Sequence, residues 1–125
     1  MAVTRFPIRF TGLNRTMAVL GLSPKRSWVE VGDETLRARM GWAFKLDAPL
    51  ANVRDARLDD ERVWGWGVHG WRGRWLVNGS SSGLVRIDFD PSVRAHMGPV
   101  PLTVRELRVS VEDRDGLVAA LTTRR

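Results

Sequence analysis

Asp88 and Asp90 stand two residues apart in the run LVRIDFD. Paired carboxylates can carry acid–base chemistry or hold a metal where burial splits their pKa values. The alternation of this run turns both outward beside Arg86, which favours a solvated strand face. Gly65-Trp66-Gly67-Val68-His69-Gly70 matches the dinucleotide spacing G-x-G-x-x-G, and Asp88 and Asp90 follow at about the distance of the acid that holds a ribose. That chemistry needs a helix start directly after the glycines, because its amides and dipole hold the pyrophosphate. Gly73 and Asn78-Gly79 prevent such a helix, so these glycines are expected in twisted β structure. His69 and His96 are the only histidines, and neither has a second ligand at metal spacing. Asp59-Asp60-Glu61 lacks the spacing of a calcium loop and reads as a solvated turn. No serine lies in a G-x-S-x-G elbow; Ser80, Ser81 and Ser82, after Asn78-Gly79, read as a hairpin connection. Cysteine is absent, which removes thiolate zinc sites, thiol nucleophiles and disulfides. The expectation is a non-enzymatic protein with no catalytic residue, metal or cofactor.

What remains is an aromatic and cationic cluster. Trp64, Trp66, Trp71 and Trp75 fall within twelve positions, interleaved with Arg62, His69, Arg72 and Arg74. One reading puts some of the tryptophans in the core and others over a barrel end, with arginines stacked on their faces. Another is a stacking platform with cationic flanks, suited to single-stranded nucleic acid or an anionic ligand. A third is a protein-docking patch, since Trp and Arg dominate binding hot spots. The candidate surface is Trp64, Trp66, His69, Trp71, Arg72 and Arg74. A protein partner or self-association is the leading expectation, with nucleic acid and an anionic lipid surface as the alternatives.

Composition sets the frame in which such a surface must sit. The chain has 125 residues, room for one domain, residues 1–125. Hydrophobic residues make up 43% and charged residues 27%, enough apolar material for an unaided core. The net charge is +6, yet acids are interleaved with bases almost throughout, so there is no continuous basic arm. Lys25 and Lys45 are the only lysines among 20 basic residues, and arginine's high pKa inflates the sequence pI of about 11.3. No early stretch reaches the roughly 20 apolar residues of a membrane span, and Arg5 and Arg9 interrupt a signal-peptide core. A cytoplasmic location is expected.

Period-two alternation supplies the elements. In residues 84–90, Val85, Ile87 and Phe89 face one way, Arg86, Asp88 and Asp90 the other, and Pro91 is expected to end the strand. Leu36, Ala38 and Met40 alternate with Arg37 and Arg39; Gly41 offers a turn, after which Phe44 and Leu46 resume. Residues 28–31 and the acidic turn Gly32-Asp33-Glu34 complete an opening hairpin. Residues 102–111 change phase near Arg105-Glu106, as a β-bulge would. Residues 8–10, 53–58 and 71–77 add strands, seven to eight in all. Asp113 caps a C-terminal helix over 113–122, with Asp115 in its first turn and Leu117, Val118 and Leu121 on one face. Only docking on the sheet would stabilise so short a helix.

This order resembles the bacterial pleckstrin-homology-like domains. The likeness is carried by WVEVGDETLRARM, APLANVRDARL, GVHGWRGRWLVNG, LVRIDF and RVSVEDRDGLVAAL. It implies a mainly β, single-domain, curved antiparallel sheet or barrel closed by one C-terminal helix. Residues 1–27 are an extension that adds a strand. Lipid-binding members of that family carry basic residues around the first hairpin turn. Here the turn is Gly32-Asp33-Glu34, with Lys25 and Arg26 lying ahead of the first hairpin strand, so the lipid function does not carry over at this site.

Overall fold

The computed structural model describes residues 3–8, 27–41, 43–59, 67–71, 73–78 and 84–122, with 67–71 and 78 described by their backbone. Alternation does form strands. β1 (Thr4–Pro7), β2 (Ser27–Val31), β3 (Thr35–Met40) and β4 (Phe44–Pro49) make an antiparallel meander. Val29 and Val31, then Leu36, Ala38 and Met40, then Phe44, Leu46 and Ala48 are buried on its inner face. The acidic turn closes with the Gly32 amide donating to the Thr35 carbonyl at 2.9 Å. Gly41 turns the chain between β3 and β4 with a positive φ of 52°.

β5 (Val53–Asp59), β6 (Gly67–Trp71), β7 (Arg74–Asn78), β8 (Leu84–Met97) and β9 (Val100–Ser110) follow, and the nine strands form one curled sheet. Its order is β1-β2-β3-β4-β8-β9-β7-β6, with β5 paired to β8 off that path. The sheet curls back on itself where Ile8 bridges Val111 and the Glu112 amide donates to the Pro7 carbonyl. The fold is therefore mainly β, as the alternation implies.

Four local expectations are corrected. Pro91 does not end its strand, because β8 runs on to Met97. The β8–β9 register lapses between Asp88 and Val93, so the proline's missing N–H falls where little ladder bonding is asked of it. Residues 71–77 are not one strand but a hairpin, β6 and β7, turned by Gly73 at φ 85°. Gly67 and Gly70 lie in its first arm, and Gly65 is outside the described residues. β7 and β8 do not pair with each other; both flank β9, and β7 runs parallel to it. The serines at 80–82, expected in a hairpin connection, lie outside the described residues. Finally, the first strand begins at Thr4 rather than at Ile8, which instead makes the bridge to Val111.

The phase change at Arg105-Glu106 is a bulge. The amides of both residues donate to the single carbonyl of Gly73, at 2.7 and 3.0 Å. Beyond it, Leu107, Val109 and Val111 enter the core.

α1 (Arg114–Thr122) closes the chain, packed on β5 and β8 with Leu117 and Leu121 fully buried. Asp113 Oδ1 accepts from the Gly116 amide at 3.0 Å, the expected cap. Glycine in a helix ordinarily costs about 1 kcal/mol against alanine. A Cβ on Gly116 would run into the Asp113 carboxylate. Gly116→Ala is therefore expected to bring no gain in urea denaturation; a full gain of about 1 kcal/mol would show the cap to be dispensable.

Candidate functional site

The strands β5, β8, β9 and β7 lie side by side, and their registers align charges on the outer face. One row runs Asp55, Asp88, Glu106, Arg74; the next runs Arg57, Arg86, Arg108, Leu76. Acids thus sit one step from arginines over most of the lattice, at strand spacings that let side chains meet. Arg86 Nε donates to Asp88 Oδ1 at 3.1 Å, and its Nη2 lies 2.9 Å from Glu106 Oε1. Arg57 reaches Asp55 at 2.7 Å and Asp88 at 3.5 Å. Arg74 donates to Glu106 Oε2 at 3.3 Å, and Arg108 lies 3.7 Å from the same oxygen.

Glu106 is the hub. Its side chain is only 6% exposed although it points to the outer face, because Arg74, Arg86 and Arg108 roof it. A buried carboxylate is tolerated only with such partners. Burial pulls the Arg86 guanidinium towards losing its proton. The hydrogen bond to Asp88 and the charges of Glu106, Asp88 and Asp59 outweigh that and hold its pKa above the ordinary arginine value. Arg57 is half-exposed, and water screens its pairs with Asp55 and Asp88 so that each contributes at most a few tenths to about 1 kcal/mol.

This face forms an open groove of about 760 Å³. Five arginines, Arg54, Arg57, Arg74, Arg86 and Arg105, meet four carboxylates there, Asp55, Asp88, Asp90 and Glu106, leaving one net positive charge. Asp88 is ion-paired with Arg57 and Arg86, and Asp90, also lining the groove, is exposed.

Of the sequence-derived surface, Trp64, Trp66 and Arg72 lie outside the described residues, and His69 and Trp71 are located by the β6 backbone. Arg74 is in the groove. Trp75 packs against the core, with its Nε1 donating to the Thr103 carbonyl at 3.2 Å. Arginine-on-tryptophan stacking occurs elsewhere, at Trp28. The guanidinium carbons of Arg5 and Arg39 lie 4.3 and 5.6 Å from its ring centroid, held by Glu30 and Asp47 respectively.

A second concavity of about 390 Å³ lies at the first hairpin turn. Glu30, Asp33 and Glu34 face Arg37 there, an acidic balance that disfavours a phosphate headgroup. Among the described residues, no helix is long and apolar enough to cross a membrane. His96 is exposed on β8, and no three His, Cys, Asp or Glu side chains among the described residues are grouped to hold a metal.

No family model matches the chain, and neither the curated proteins nor the solved structures contain a significant match.

Proposed function

We propose that the chain is a non-catalytic protein-interaction domain of pleckstrin-homology-like architecture that works in the cytoplasm. The curled sheet closed by α1 supports the architectural part, while the parallel β7–β9 pair departs from a wholly antiparallel pattern. The observation that carries the functional part is the mixed-charge groove over β5, β8, β9 and β7. A phosphate polymer presents unbroken negative charge, and four carboxylates in the groove oppose it. A protein surface can present acids to the arginines and bases to the carboxylates, which gives register and specificity.

The test is affinity capture from nuclease-treated extract, comparing the native chain with the charge-reversed variant Arg54→Glu/Arg57→Glu. A protein retained by the native chain and lost with the variant supports the reading. Binding of oligonucleotides instead, weakening steeply with salt, replaces it with the nucleic-acid alternative. Light scattering at low and high salt separates a foreign partner from self-association.

A further inference from the structure

Lys45, Arg94 and His96 form a patch on the outer face of the sheet, away from the groove. Phe44 and Leu46 of β4 and Val93 and Ala95 of β8 are buried on the inner face. Alternation therefore turns Lys45, Arg94 and His96 outward, and all three are exposed. Lys45 is the cross-strand partner of His96 on one side and of Arg39 on the other. Two cations, Arg39 and Lys45, thus stand directly opposite each other, and no acid faces Lys45 from β8. Like charges so placed destabilise a sheet, and departures of this kind concentrate at functional sites.

Arg39 is held in place. Its guanidinium donates to Asp47 Oδ1 at 2.8 Å and to the carbonyls of Ala38 and Leu46. Arg37 lies 3.9 Å from the same Asp47 oxygen, so the nearest acid of the patch is already engaged. The side chains of Lys45, Arg94 and His96 make no hydrogen bond or ion pair among the described residues. Arg37, Arg39, Lys45 and Arg94 against Asp47 leave a surplus of three positive charges here, where the groove has one and the whole chain six.

We infer that Lys45, Arg94 and His96 bind a soluble phosphate monoester as its dianion. Directly opposed residues have Cβ atoms about 5 Å apart, and diagonal or alternate ones about 7 Å. At those spacings the three side chains converge on one anion of phosphate size. Lysine offers three donors as a point charge, arginine a bidentate fork, and imidazole an N–H in either protonation state. The patch is bounded. Beyond His96 and Arg94 the next strand presents Pro101 and Thr103, and beyond Arg39 the row reaches Trp28, two residues from Glu30. A compact dianion fits that extent, whereas a phosphate polymer needs positive charge along its length. The acidic turn Gly32-Asp33-Glu34 between β2 and β3 opposes an anionic membrane. None of the three residues lines the groove, so the site stands independently of the protein-interaction reading.

The experiment is a proton–nitrogen NMR titration of the full chain with phenyl phosphate, at about pH 7.5, where the monoester is a dianion. Sodium nitrate at equal ionic strength is the reference. The amide signals of Lys45, Arg94 and His96 are expected to shift saturably with the ester and not with nitrate. Lys45→Ala and Arg94→Ala should each weaken binding about tenfold, the loss of one charge-assisted contact. Lys45→Arg, which keeps the charge, should stay within about twofold of native. All three side chains are exposed, so the variants are expected to keep native-like spectra elsewhere. No saturable shift, an equal response to nitrate, or unaltered affinity in Lys45→Ala and Arg94→Ala overturns the site. Sedimentation with phosphatidate-containing vesicles, without a response to phenyl phosphate, overturns the soluble ligand in favour of a lipid surface. A single-stranded oligonucleotide that binds at these residues with a salt dependence of several phosphates overturns the compact one. Each of these failures leaves intact any partner that capture finds for the groove.

Discussion

Leu107→Ala should cost about 3 kcal/mol of stability in urea denaturation, the largest loss we expect from a single substitution here. Leu107 is fully buried, with Ile87 of β8 on one side and Trp75 of β7 on the other. It sits in the inner row that also holds Ala56 of β5, so removing its side chain opens a cavity where three other strands meet it. β7, β8 and β9 are each hydrogen-bonded on both sides and cannot collapse into the space, which puts the cost well above the transfer term alone. A loss under about 1 kcal/mol would mean that this part of the sheet repacks freely.

Glu106→Gln is expected to destabilise the chain. The neighbouring Glu106 points to the other face, and its carboxylate neutralises three guanidiniums. An amide of the same shape leaves those cations facing one another. A fully buried pair broken in this way costs about 3–5 kcal/mol. The arginines here are 22–66% exposed, so water screens much of that and about 1–2 kcal/mol remains. The loss should shrink as salt rises, because what is exposed is repulsion between partly solvated charges. A loss that does not change with salt would show that Glu106 shapes the groove rather than balancing its charge.

The inner face of this fold was legible in the sequence, and the outer face was not. Leu36, Ala38 and Met40, and again Val85, Ile87 and Phe89, alternate cleanly, and all six are buried. Asp113 before an apolar stripe at helical spacing announces α1 and its cap. The lattice leaves a weaker local mark. Asp55 and Arg57, Arg86 and Asp88, and Glu106 and Arg108 each place opposite charges two apart on one strand. Only the registers β5–β8 and β8–β9 turn those three pairs into rows, and no spacing along the chain encodes a register between distant strands. Pro91 misled for a related reason. Proline ends strands that are hydrogen-bonded on both sides, whereas here it lies in the register lapse between Asp88 and Val93, its carbonyl accepting from Asn52 Nδ2 at 3.2 Å. The tryptophan cluster drew attention by composition, yet the arginine–tryptophan stacking among the described residues is at Trp28, whose partners come from β1 and β3.

β8 belongs to two neighbourhoods. Its first half pairs with β5, its second half with β4, and β9 accompanies it along both. The sheet thus forks around a single strand in the manner of a splice. The β1–β4 meander cannot peel away without stripping β8, and stripping β8 also removes the support of β5 and, through β5, of α1. Cooperative units in proteins follow such shared elements. Among the described residues, the opening meander and the closing strands therefore share β8, and each is lined by its core-facing side chains.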